Sequence, residues 1–193
     1  MQPSLKTDLK QIVILFSGEG SNLLNIIEKL HESTLNVAAA ITNRPTAGGI
    51  EKAKAHNIQV DVIDHTGFDS RESFDAVLLE TIRRYNPDLV VMAGFMRILT
   101  PIVTDNIKAI NVHPSLLPLF KGGNAIEESF LSSEPKGGIS VHWVTSELDG
   151  GEIVAQASFD KNSDETLESF TQKIRDLEHT LLPEAIVQIL KAD

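Results

Sequence analysis

Three short segments of this 193-residue chain carry side chains able to do chemistry. The first is residues 109–118, Ala-Ile-Asn-Val-His-Pro-Ser-Leu-Leu-Pro. Asn111 and His113 stand two apart, so a strand projects both from one face, one rung from each other. Pro114 and Pro118 stop that strand and stiffen its exit. An amide and an imidazole held side by side can stabilise an oxyanion and move a proton. The second segment is Thr145-Ser146-Glu147-Leu148-Asp149-Gly150-Gly151, whose Asp149 can orient and charge an imidazole. The third, Ser17-Gly18-Glu19-Gly20-Ser21-Asn22, separates an apolar run from a helical pattern. There glycines admit a ligand close to the backbone, and helix N-terminal amides with Ser and Asn suit a phosphate.

Each segment also has a blander reading. Asn111 and His113 can satisfy each other inside a core, Asp149 can shape a Gly-Gly turn, and Ser21 or Asn22 can cap a helix. Taken together the three suit acyl or formyl transfer without a covalent enzyme intermediate, since no Ser or Cys sits in a nucleophile-elbow context. The glycine turn is neither a Walker sequence nor a full dinucleotide fingerprint. Cysteine is absent and no His pair has the i,i+4 spacing of a zinc site, so no metal is expected. His31, His56 and His65 fall at helix ends or in loops. His142 lies on a strand facing the same way as Ser140 and Val144, and it is given no role.

The elements that must position these residues alternate. Strands are expected at 11–16, 37–42, 59–63 and 89–93, with helices at 22–32, 50–56 and 69–85. The last of these helices has an Asp69/Glu72 capping box and a core stripe of Phe74, Val77, Leu78, Ile82 and Tyr85. Such repetition implies an α/β fold, a mostly parallel doubly wound sheet with helices on both faces. Beyond residue 120 the texture changes: a helix at 124–132, then β-runs at 139–145 and 153–159 that suggest an antiparallel C-terminal extension. A long C-terminal helix over 166–190 places Leu167, Phe170, Ile174, Leu177 and Leu181 inward, and Pro183 is expected to kink or break it.

Composition bounds the function. Hydrophobic residues at 41% and charged residues at 23% are ordinary for a soluble globular protein. A net charge of −10 argues against a nucleic-acid surface. No apolar run approaches a membrane span and the start, MQPSLKTDLK, has no signal-peptide core. A cytoplasmic location is expected, with residues 1–193 forming one domain.

The Ser17–Asn22 turn, the run Ala93-Gly94-Phe95-Met96-Arg97-Ile98-Leu99, the strand end Asn111–Pro118 and residues 137–156 resemble the folate-dependent glycinamide ribonucleotide formyltransferases. The resemblance covers nearly the whole chain. It implies the formyltransferase fold, 10-formyltetrahydrofolate as co-substrate, and small-molecule partners acting on a monomer or weak homodimer. It matches Asn111, His113 and Asp149 to the catalytic set. It matches Gly20, Ser21 and Asn22 to the substrate's phosphate, with Arg175, Asp176, Leu177 and Glu178 on the ribose-glycinamide side. Met96, Arg97, Ile98, Leu99, Asn111 and Thr145, Ser146, Glu147, Leu148, Asp149 match the folate cradle, and Arg71 its distal part. An N-terminal half, about 11–105, would bind phosphate, and a C-terminal half, about 106–193, would hold folate and catalysis. With a bulky residue before proline in a rigid loop, the resemblance also implies a cis Leu117–Pro118 peptide.

The pattern departs from the family at Leu119-Phe120-Lys121-Gly122, where a basic residue has moved and a proline is missing, and at Asn124-Ala125-Ile126-Glu127. No ligand contact is therefore assigned to 119–127. Formyltetrahydrofolate deformylase and methionyl-tRNA formyltransferase are the alternatives within the chemistry, the first expected to carry an extra N-terminal domain and the second a C-terminal tRNA-binding one. A non-enzymatic phosphosugar-binding module would account for the glycine turn but leave Asn111, His113 and Asp149 without purpose.

Overall fold

The computed structural model describes residues 9–192, so Met1–Asp8, part of the stretch read above for a leader, lie outside the described residues. In chain order the strands are β1 (Gln11–Phe16), β2 (Asn36–Thr42), β3 (Val60–Val62), β4 (Leu89–Met92), β5 (Ala109–His113), β6 (Lys136–Trp143) and β7 (Ile153–Asp160). The helices are α1 (Ser21–Leu30), α2 (Gly49–Ala55), α3 (Arg71–Arg84), α4 (Pro101–Thr104), α5 (Ala125–Leu131) and α6 (Leu167–Ala192). One sheet takes the order β3-β2-β1-β4-β5-β6-β7. β1 to β5 pair in parallel, and β6 and β7 join antiparallel, which is the expected extension.

β1 shows why its sequence is an unbroken apolar run. Ile12, Ile14 and Phe16 enter a core shared with α1, α2 and α6, while Val13 and Leu15 enter a second core under α3 and α4. A strand covered on both faces needs no polar alternation. Between β1 and β4 the strand order reverses, and the two chains leave in opposite directions. In open α/β sheets a crevice forms at the carboxyl ends there.

Several local expectations are corrected. The α3 capping box uses Ser70 and Ser73 rather than Asp69 and Glu72, because the helix starts one residue later than the pattern suggested. Val77 is 40% exposed, and Asp75, Leu79 and Thr81 turn inward instead, so the buried stripe is rotated. Leu167, at the first turn of α6, is 41% exposed. β6 begins at Lys136, ahead of the alternating stretch. Its Gly137 and Gly138 leave room for the Phe170 ring and the Ala157 carbonyl, where any Cβ would collide.

Pro183 neither ends nor interrupts α6. Its missing N–H frees the carbonyl of residue 179, four positions earlier. Asn25 Nδ2 and Lys29 Nζ, both on α1, donate to that His179 carbonyl at 2.9 and 2.6 Å. The proline therefore turns an internal helix bond into a tether between helices. Asn25→Ala is expected to lower stability by about 0.5–1.5 kcal/mol. In a Pro183→Ala background, where the restored N–H serves the carbonyl, the loss should be smaller. Urea midpoints of the four proteins in this cycle check it, and equal losses in both backgrounds would count against the tether.

Candidate active site

The site begins as four polar residues on two paired strands. β5 and β6 set Asn111 opposite His142 and His113 opposite Ser140. Ser140 holds the exit loop: its hydroxyl donates to the Ser115 carbonyl at 2.7 Å and accepts the Leu117 N–H at 3.0 Å. Gln156 Nε2 reaches the same hydroxyl at 2.8 Å and the Leu117 carbonyl at 3.0 Å. The Leu117–Pro118 peptide in this loop is cis, as expected.

Asp149 approaches the grid from the β6–β7 loop. Its Oδ2 lies 3.4 Å from His113 Nδ1 and its Oδ1 lies 3.6 Å from His142 Nε2. The Gly122 N–H donates to Oδ2 at 2.8 Å. Burial pushes the Asp149 carboxyl up, but the His142 ring, the Gly122 amide and the charge at His113 outweigh it and leave the group below its usual 3.8. Asp149 sits at φ 49°, a left-handed conformation that Asp and Asn tolerate better than most residues.

The ring nitrogens of both histidines have close partners. His113 Nε2 faces the Phe120 carbonyl at 2.8 Å and Nδ1 faces the Asp149 carboxylate. Both partners only accept, so the contacts suit a ring carrying both protons. His142 Nδ1 faces the Trp143 carbonyl at 2.9 Å, and its Nε2 stands between Asn111 Nδ2 at 3.2 Å and Asp149 Oδ1 at 3.6 Å. That contact orients the Asn111 amide, leaving its second N–H for the cleft.

The cleft, of about 380 Å³, opens at the carboxyl ends of β1, β4 and β5. One wall is Asn22 and Glu178, joined by a 3.0 Å bond from Asn22 Nδ2 to the carboxylate. The opposite wall is the 94–98 loop with Leu148, and its Met96, Ile98 and Leu148 side chains are exposed. Asn111, His113 and Asp149 form the floor. Leu99, Thr145 and Glu147 line a small side pocket that shares Arg97 and Asp149.

Other expected residues stand farther back. Gly20 holds φ 72°, and α1 begins at Ser21 with no side-chain cap and no acidic residue in its first turn. From the 175–178 stretch only Glu178 reaches the cleft, while Leu177 packs on the core and the exposed Asp176 accepts from Gln172. Arg71 donates to the Ile98 carbonyl at 3.1 Å, so it holds the loop from behind. Ser146 is exposed and lines neither pocket.

Three contributors went unassigned in the sequence. His142 becomes visible once the 139–145 run is paired antiparallel with 109–113, since that register sets it beside Asn111. The Phe120 carbonyl and the Gly122 N–H lie in the divergent loop, and backbone groups leave no side-chain signature. Phe120 adopts φ 54°, rare for a bulky residue, and this aims its carbonyl at His113 and Ser115.

The two carboxyls of the cleft should respond to pH in opposite senses. Burial pushes Glu178 above its usual 4.5, against the opposing effects of Asn22 and Arg175. Its contribution is complete below 4.5 and is lost as pH rises through the folded value, so wild type should lose ground to Glu178→Gln there. The Asp149 contribution is present above 3.8 and is lost as pH falls through its lowered value. Wild type should therefore gain on Asp149→Asn as pH rises towards 3.8. Urea midpoints of the three proteins across acidic to neutral pH test both signs, and parallel trends would contradict them.

A model of the formyl transferase family matches residues 10–186. The phosphoribosylglycinamide formyltransferase of Escherichia coli is 38% identical over 176 residues, covering 89% of this chain and 83% of that protein. The enzyme of the same name from Bacillus subtilis is 33% identical, covering 94% of this chain and 95% of its own. The crystal structure of Campylobacter jejuni phosphoribosylglycinamide formyltransferase superposes with a TM-score of 0.92 at 48% identity, covering 94% of this chain and 98% of that one. With the sheet order and the match spanning nearly its whole length, the chain belongs to the formyl transferase family, whose members draw the formyl group from a folate donor.

Proposed function

We propose that the chain transfers the formyl group of 10-formyltetrahydrofolate to the amine of 5'-phosphoribosylglycinamide, giving formylglycinamide ribonucleotide and tetrahydrofolate, the third step of de novo purine synthesis. The observation that carries this reading is the His113–Asp149 pair beside Asn111, set on a cleft floor between a helix N-terminus and an apolar-rimmed loop. The cleft volume falls in the range of small-molecule sites. The uncapped α1 amides with Ser21 and Asn22 suit the substrate phosphate, and Glu178 suits its ribose hydroxyls. Met96, Ile98 and Leu148 offer apolar surface to the flat folate ring system, and Arg97 a cation on the same side.

The roles follow from the contacts. Attack of the substrate amine on the formyl carbon makes a C–N bond and places negative charge on the formyl oxygen. The Asn111 N–H that His142 leaves free is aimed at that oxyanion, and the charge of His113 stabilises it from the floor. Asp149 maintains His113 in its charged form. Collapse breaks the bond to N10, and the proton lost by the amine is delivered to N10 through His113 or an ordered water. Residues 1–193 work as one unit: the half around 11–105 contributes the phosphate turn, and the half around 106–193 the catalytic floor. The protein is acidic overall, so anionic ligands depend on these local donors rather than on long-range steering.

Formyl transfer to glycinamide ribonucleotide, measured against hydrolysis in buffer alone, tests the reading. Hydrolysis without transfer would favour a deformylase instead. Asp149→Asn keeps the shape and the left-handed backbone while removing the charge. It is expected to lower kcat by about 10²–10³ with little change in either KM. A folded variant that keeps most of its kcat would remove Asp149 from the mechanism. At Gly20 a Cβ would lie 2.7 Å from Gly49 Cα, so even Gly20→Ala should displace the turn. It should raise KM for the ribonucleotide while leaving that for the formyl donor near wild type, and equal weakening of both would contradict the assignment.

A further inference from the structure

The cleft opens where the exits of β1 and β4 part, and Ser17 sits in that fork, 1% exposed. Its N–H donates to the Gly94 carbonyl at 3.0 Å, carrying the β1–β4 pairing one step past the strands. Beyond that point the backbones separate, and the side chain takes over. The Ser17 hydroxyl accepts the Met96 N–H at 2.8 Å and donates to Asn43 Oδ1 at 2.5 Å. Asn43, also 1% exposed, follows β2, and its Nδ2 meets His65 Nδ1 at 3.3 Å. One buried hydroxyl therefore links the segments that leave three adjacent parallel strands.

The segments on either side have separate anchors of their own. The glycine turn is held by the Gly49 N–H on the Gly18 carbonyl at 3.1 Å, and by Lys52 Nζ on the Glu19 carbonyl. The 94–99 loop is held by Arg71 on the Ile98 carbonyl, with Asp75 accepting the Thr100 N–H at 2.5 Å just beyond it. Between these anchored ends, the Ser17 hydroxyl is the side-chain link from the β1 exit to the opposing loop. It is absent from the residues lining the cleft.

We propose that Ser17 is a positioning residue that couples the two sides of the cleft, its hydroxyl setting the separation between the phosphate turn and the formyl-donor loop. A ligand that orders one side through this contact lowers the cost of ordering the other, and by linkage the benefit is reciprocal. The inference rests on the substrate placement argued under Proposed function.

Calorimetric titration of glycinamide ribonucleotide, with and without saturating tetrahydrofolate, reads the coupling directly, because that folate carries no formyl group and permits no turnover. Wild type is expected to bind the ribonucleotide about fivefold or more tighter with the folate present. In Ser17→Ala that ratio should fall to about one, and KM for the formyl donor should rise about three- to tenfold, as one lost neutral hydrogen bond allows. Ser17→Cys, close in volume with a weaker donor and acceptor, should fall between, and it decides the matter if the alanine variant does not fold. A wild-type ratio of one overturns the proposal, as does a variant that keeps the wild-type ratio or weakens both ligands equally while keeping it. Failure of wild type to transfer formyl at all would instead overturn the substrate assignment, and transfer with an unaltered ratio in the variants overturns only the coupling.

Discussion

A carboxylate and an imidazole buried within 3.4 Å of each other are the constraint around which the carboxyl edge of this sheet is arranged. Their side chains are 7% and 6% exposed, so water contributes little to solvating either group. Burying two such polar groups is favourable only when their remaining lone pairs and protons find partners. Here the Gly122 amide and the Phe120 carbonyl supply them, and both come from one loop. The loop in turn requires a left-handed Phe120, and the Ser115 hydroxyl spans the carbonyls of Leu119 and Phe120 to hold it. Charge, loop shape and backbone strain are thus consequences of one another.

The sheet explains why this arrangement is available. Parallel strands place all their exits on one edge, and the reversal of order at β1 and β4 spreads those exits into a crevice. The antiparallel pair β6–β7 then completes the grid of polar residues. It lays His142 and Ser140 against Asn111 and His113, and the loop that leaves β6 beside the start of β5 folds back to bring Asp149 to His113.

Much of this was legible in the sequence because burial writes itself into residue type. β1 and β4 are runs of Ile, Val and Leu because both faces are covered, and such runs alternating with amphipathic helices announce a doubly wound sheet. Asn111, His113 and Asp149 stood out as polar groups at strand ends and glycine bends. The misses share a cause as well. The role of His142 depends on a strand register that sets it beside Asn111, 31 residues away in sequence, which no local window contains. The 119–123 loop acts through main-chain atoms, to which its altered side chains are no guide. Pro183 read as a breaker because the donors that compensate it, Asn25 and Lys29, come from a helix near the other end of the chain.

The bond between Asn22 and Glu178 spans 156 residues of sequence and joins the first helix to the last. With the tethers from α1 to the His179 carbonyl, it means that one wall of the cleft is built from α1 and α6, with six strands of the sheet lying between them in sequence. The docking of α6 on α1 gives that side of the cleft its second surface. Completing that wall therefore requires closing a loop of 156 residues, an entropic cost that grows only logarithmically with length.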